Sequence, residues 1–148
     1  MTILGIDYGA KKIGLAISSE DQRLALPLEI ISATTPEAVL ERLRAVCREH
    51  QVARIIVGVP LSLKAEKRQT FWRQKDFQNQ HMRDVLEFVR WLQTALELPV
   101  EVEDERLTTR QANRLGVRGQ DDAVAAMLIL QTYLDKSKAS EASSKLTS

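Results

Sequence analysis

The stretch Thr2-Ile-Leu-Gly-Ile-Asp-Tyr-Gly-Ala-Lys-Lys-Ile-Gly-Leu-Ala-Ile-Ser18 decides the fold. Residues 2–8 form a short apolar run that Gly9 ends, residues 9–12 read as a turn, and residues 13–18 form a second apolar run. Two such runs across a short turn make an antiparallel hairpin. Residues 24–32 follow as a third strand. Pro27 carries no backbone N–H and cannot sit inside a central ladder, so this strand belongs at a sheet edge or at a bulge.

Beyond the three strands the pattern changes to alternating helix and strand. Thr35-Pro36-Glu37 is a helix start, with Thr35 as N-cap and Pro36 at the first helical position. Val39, Leu40, Leu43, Val46 and Cys47 recur at helical spacing up to His50. Residues 53–59 are a buried strand stopped by Pro60. A polar, basic segment spans 62–75, and a long helix follows over 76–98, with Phe77, Val85, Phe88, Leu92 and Leu96 on one stripe. Pro99 stops it. Residues 100–107 are a strand, and Thr108 with Gln111 makes a capping box for a short helix that Gly116 and Gly119 interrupt. The final helix, from 120 or 121 to 134, is apolar on nearly all sides and therefore central. Three antiparallel strands followed by alternating units predict an α/β fold, a five-stranded mixed sheet with helices on both faces. The expected domain covers 1–136, and 137–148 is a disordered tail by composition.

Length and composition agree with one globular domain. The chain has 148 residues, 44% hydrophobic and 28% charged, and shows no solenoid-period repeat. Its longest apolar runs fall short of the ~20 residues of a membrane span, and no basic, cleavable leader opens it. Cys47 is the single cysteine, which excludes an internal disulfide and fits a buried structural thiol. A cytoplasmic protein is expected, with no membrane partner.

Net charge is only +1, from 21 basic and 20 acidic residues, but the signs are segregated. Lys64, Lys67, Arg68, Arg73 and Lys75 crowd one segment, and Arg106, Arg110, Arg114 and Arg118 another. Glu101, Glu103, Asp104 and Glu105 form an acidic block, and Asp121-Asp122 a second. Such a chain can hold a cation and a polyanion near one another; solvated faces are the plainer reading. Phe71 and Trp72 among the first cations could stack on bases or pack at the foot of the long helix. His50 suits a helix C-terminus, and His81 a partly buried position on the long helix.

Asp7 stands out among the acids. It interrupts an apolar strand between Gly5 and Gly9, and an acid there needs a partner such as a metal ion. Glu105 lies at the end of the last strand, and Asp122 in the first turn of the last helix. Carboxylates from separate segments are the ligands Mg²⁺ prefers. Two such ions can activate a water and stabilise the leaving oxygen in phosphodiester hydrolysis. Each acid also has a structural reading of its own, most plainly the helix dipole for one of Asp121 and Asp122.

The ordered motifs resemble the YqgF family, which is associated with pre-16S rRNA nuclease and Holliday junction resolvase activities and has a ribonuclease H-like fold. The likeness is carried by Gly5-Ile-Asp-Tyr-Gly9 with Lys12-Ile-Gly-Leu-Ala16, then Pro27-Leu28 and Ile56-Val-Gly-Val-Pro-Leu61. It continues through Asp104-Glu-Arg-Leu-Thr-Thr109 to Asp122-Ala-Val-Ala-Ala126 and Leu130-Gln-Thr-Tyr133. The resemblance implies that Asp7, Glu105 and Asp122 are the catalytic, metal-binding acids, holding Mg²⁺ or Mn²⁺. It favours Asp122 over Asp121, which would then cap or charge the helix start, with a role assisting Asp122 as the alternative. It also implies backbone contacts to nucleic acid near Lys12, and Arg68, Arg73 and Arg110 are the further basic candidates. Thr108 or Thr109 would support Glu105. Two departures lie where substrate would approach: residues 62–75 lack glycine, and the stretch between Thr109 and Asp122 is short.

The expected function is a metal-dependent endonuclease on structured nucleic acid, first of all precursor rRNA in ribosome biogenesis. Branched DNA, the substrate of a Holliday junction resolvase, is the alternative, and a non-catalytic nucleic-acid-binding module a further one. Gly5-x-Asp7-x-Gly9 also resembles the phosphate loop of actin-like kinases, but those clamp nucleotide between two such domains, and the chain has length for one. A monomer or weak homodimer is expected.

Overall fold

A computed structural model describes residues 1–59, 76–104 and 121–147. Five strands run in the order β1 (Thr2–Tyr8), β2 (Lys12–Ser18), β3 (Ala25–Ser32), β4 (Val52–Val59) and β5 (Val100–Asp104). The helices among the described residues are α1 (Pro36–Glu49), α2 (Asp76–Leu96) and α3 (Asp122–Thr147). The strands form one sheet ordered β3-β2-β1-β4-β5. The first three pair antiparallel, while β4 pairs parallel with β1 and β5 parallel with β4. The mixed sheet expected from the sequence is present, and β1 and β4 run side by side where the strand order reverses, the usual place for a site in such sheets.

Alternation along the strands builds two cores. Leu4 and Ile6 of β1 join Ile13 and Leu15 of β2 in packing against Val39, Leu43 and Val46 of α1 and Val85, Phe88 and Leu92 of α2. Ile3, Ala16 and Ile56 point the other way, onto Ala126, Ile129, Leu130 and Leu134 of α3. The spacings 39-43-46 and 85-88-92 place one stripe of each helix on the sheet. Helix α3 buries residues on several sides, as its composition predicts: Leu128 and Thr132 are buried as well as the residues facing the sheet.

Local signals read from the sequence are realised. The Thr35 hydroxyl accepts from the Ala38 N–H at 3.1 Å, with Pro36 opening α1. Pro27 lies on the edge strand and beside a bulge, for Ala16 pairs with Pro27 while Leu15 pairs with Glu29. Helix α2 stops at Leu96, two residues before the expected end at 98, because Glu97 turns left-handed (φ 55°). The tail is a correction. Helix α3 runs to Thr147, past the expected end at 134 and through most of the stretch expected to be disordered. That stretch holds no glycine or proline and several good helix formers, and a helix already nucleated by packing propagates through such residues at little cost. Among the described residues, no helix is long and apolar enough to cross a membrane.

Candidate active site

Asp7 is the penultimate residue of β1, and its cross-strand partner is Gly14 of β2. Paired residues project to the same face, and Gly5 and Ala16, two pairs earlier and so on that same face, lie against α3. Asp7 is therefore on the α3 side of the sheet, at the C-terminal end of β1. A Cβ placed on Gly14 would sit 1.9 Å from the Asp122 carbonyl oxygen and 2.8 Å from the Ala123 nitrogen. Only a residue without a side chain lets the first turn of α3 settle onto the hairpin there. This contact brings the Asp122 backbone to the strand pair that carries Asp7. Gly5 and Gly58 extend the same seat, since a Cβ on them would meet Leu130 Cβ at 2.8 Å and Ile129 Cδ1 at 2.3 Å.

The two neighbouring aspartates at the head of α3 have different surroundings. Asp121 is exposed, and its Oδ1 accepts the Val124 N–H at 2.8 Å, so it is the N-cap. Asp122 is the first helical residue and is half-buried. Asp7 is half-buried too. Asp7 and Asp122 come from separate elements whose backbones meet at Gly14, and both offer the oxygen donors a hard cation takes. Among the described residues, no three His, Cys, Asp or Glu side chains gather as a metal site. Glu105, the third acid expected, lies outside the described residues, as do Arg68, Arg73, Arg110, Thr108, Thr109 and the expected short helix. Lys12 opens β2 and is exposed.

The acidic block of β5 is less uniform than its composition suggests. Glu103 pairs with Gly58 and is buried, held by Lys136 of α3. Glu101 is exposed and lies near Arg54, whose Nη1 stands 3.4 Å from Glu101 Oε1 and donates to the Tyr133 hydroxyl at 2.6 Å. Burial pushes the Tyr133 phenol above its ordinary value, the Arg54 bond pulls it back, and the hydrogen bond to Glu101 raises it again. These contacts, absent from the sequence reading, tie β4 and β5 to α3. The alternation of Arg54, Ile56 and Gly58 on one face, with Glu101 and Glu103 paired beside them, was the signal that could have found them.

Comparison with known proteins bears on the family and the fold. Residues 1–136 match a family described as RuvX, Holliday junction resolvase. A protein of Chloroflexus aurantiacus named "Putative pre-16S rRNA nuclease" is 36% identical over 142 residues, covering 90% of this chain and 86% of the relative. One of the same name from Rickettsia bellii is 32% identical over 142 residues, covering 90% and 85%. Among solved structures, Thermus thermophilus RuvC in complex with a Holliday junction substrate superposes with a TM-score of 0.57 at 16% identity, covering 90% of this chain and 94% of that one. That likeness establishes a shared ribonuclease H-like α/β fold. With the family match covering residues 1–136, the chain belongs to the RuvX (YqgF) family of nucleases.

Proposed function

We propose that this chain is a divalent-metal-dependent endonuclease of the cytoplasm that cuts structured RNA, the precursor of 16S rRNA first. The observation that carries the reading is the Asp7–Gly14 pair seated against the Asp122 backbone, which supports a shared carboxylate site at the end of β1. Asp7, Asp122 and Glu105 would hold Mg²⁺, or Mn²⁺ in its place. Glu105 follows β5 directly in the sequence, and the acids Glu101 and Glu103 of that strand lie beside Ile56 and Gly58 on the α3 side. When bound, the metal supplies an activated water and neutralises charge on the leaving oxygen.

The protein's own part is placement. Asp121 is engaged as the cap of α3, which supports Asp122 rather than Asp121 as the acid that would reach the metal. Lys12 is exposed one turn beyond Asp7, and with Arg68, Arg73 and Arg110 it supplies cations for a phosphate backbone, which gives affinity its dependence on salt. The chain acts as a monomer or weak homodimer.

Incubation with precursor 16S rRNA and with a four-way DNA junction, each in Mg²⁺, Mn²⁺ or EDTA, tests the proposal. Cleavage of the RNA in either metal and none in EDTA is expected. Cleavage of the junction alone would transfer the reading to branched DNA, the substrate in the family's description. Binding of both without cleavage would leave a nucleic-acid-binding module.

A further inference from the structure

The sheet face opposite Asp7 carries a cleft of about 420 Å³ that the nuclease reading does not use. It lies between the end of β1, the start of α1 and the middle of α2. One wall is aromatic: the Tyr8 ring stacks on Phe88 at 4.4 Å between centroids, and Phe88 meets Trp91 at 5.8 Å, tilted by 38°. The polar groups on α2 are both acids, Asp84 and Glu87, spaced three apart so that they share a helix face. Asp84 accepts one hydrogen bond, from Gln80 Nε2 at 2.8 Å. Among the described residues neither acid has an ion-pair partner.

A nucleic acid is repelled by two carboxylates, and a neutral apolar group leaves them unmatched. A cation with a flat body satisfies both walls at once, its face on the rings and its edge toward the acids. Guanidinium has that shape, with a planar fork of donors that fits carboxylates and a face that stacks on aromatic rings; an ammonium has neither. Where the cleft meets α1 it opens on Thr34 and Thr35, both exposed, which leaves a path for a peptide main chain.

We propose that this cleft docks an arginine side chain presented by a basic segment of a partner protein. The docked group touches Tyr8, the neighbour of Asp7, so the partner is held beside the nuclease site but on the other face of the sheet.

The test uses the full chain and a blocked Gly-Arg-Gly peptide, with its citrulline counterpart as the uncharged isostere. Binding is followed by the indole N–H signal of Trp91 in a nitrogen–proton correlation spectrum, assigned by loss of that signal in Trp91→Phe. The arginine peptide should shift the signal saturably, and the citrulline peptide should bind at least tenfold more weakly. The double variant Asp84→Asn/Glu87→Gln should bind the arginine peptide at least tenfold more weakly while melting at the wild-type temperature. Equal binding of citrulline and arginine, or no saturable shift, overturns the proposal, and both are read on unmutated protein should the double variant fail to fold. Equal binding by a folded double variant overturns it too. A short oligonucleotide that moves the same signal in place of the peptide reassigns the cleft to nucleic acid.

Discussion

Replacing Gly14 by alanine probes the seat where the Asp122 backbone meets the strand pair that carries Asp7. The added methyl would lie 1.9 Å from the Asp122 carbonyl oxygen, 2.2 Å from its carbon and 2.8 Å from the Ala123 nitrogen. Ordinary contact begins near 3.4 Å, so something must move by about 1.5 Å. The obstructing atoms are backbone, at the head of a helix whose Ala123, Ala126, Ile129 and Leu130 are buried, and no side-chain rotation relieves the clash. Overpacking costs about 1–3 kcal/mol in general, and a rigid backbone neighbour puts this case near about 3. For a chain of this size that lowers the melting temperature by roughly 6–12 °C. The displacement falls on Asp122 itself, and misplacing a reacting group by about 1 Å costs on the order of 10²-fold in rate. Gly58→Ala is the matched control: its methyl meets the Cδ1 of Ile129 at 2.3 Å, the end of a side chain that can turn aside. It should cost about 1 kcal/mol and leave the rate alone. Thermal melts and metal-dependent cleavage rates, taken on all three proteins below their transitions, decide the matter. A Gly14→Ala protein that melts and cleaves like wild type would refute the idea that α3 rests on the hairpin at this point.

Two further outcomes follow from local structure. Glu97 closes α2 in the left-handed region at φ 55°, where a side chain is strained, so Glu97→Gly should raise stability by up to about 1 kcal/mol in urea unfolding. The Arg42 guanidinium donates to both oxygens of Glu29, at 2.8 and 2.6 Å, and holds its carboxyl below the usual range. A lowered folded-state value means the folded protein binds fewer protons. The pair's contribution is complete above the ordinary carboxylate range and is lost as pH falls through the lowered value. With both side chains partly exposed it is worth under about 1 kcal/mol. Glu29→Gln should therefore cost a little stability near neutral pH and nothing after acidification, measured as the shift in urea midpoint at each pH.

Short apolar runs ended by turn residues, together with capping residues, made the sheet and most helix boundaries legible: Thr2 to Tyr8 and the Thr35-Pro36 start need no information from distant residues. Asp7 is marked as a local anomaly, an acid between two glycines in an apolar strand, and its place at the C-terminal end of β1 opposite Gly14 follows from the strand pairing. What could not be read is set by long-range register. Glu103 looks like one more solvated acid until β5 is paired with β4 and Lys136 arrives from α3. Gly14 looks like a hairpin glycine until the head of α3 is seen against it. The extension of α3 to Thr147 was missed because composition poor in large apolar residues was read as disorder, although its helix propensity is good.

The most direct test of the central claim compares four proteins on precursor 16S rRNA at saturating Mg²⁺: wild type, Asp7→Asn, Asp122→Asn and Asp121→Asn. Each change keeps the shape of the side chain and removes its charge. Wild type should cut, and Asp121→Asn should cut at nearly the same rate, since an asparagine still caps the Val124 N–H. Asp7→Asn and Asp122→Asn should melt near the wild-type temperature and cut nothing. An inert Asp121→Asn beside an active Asp122→Asn, or an Asp7→Asn protein that cleaves as fast as wild type, would contradict the account.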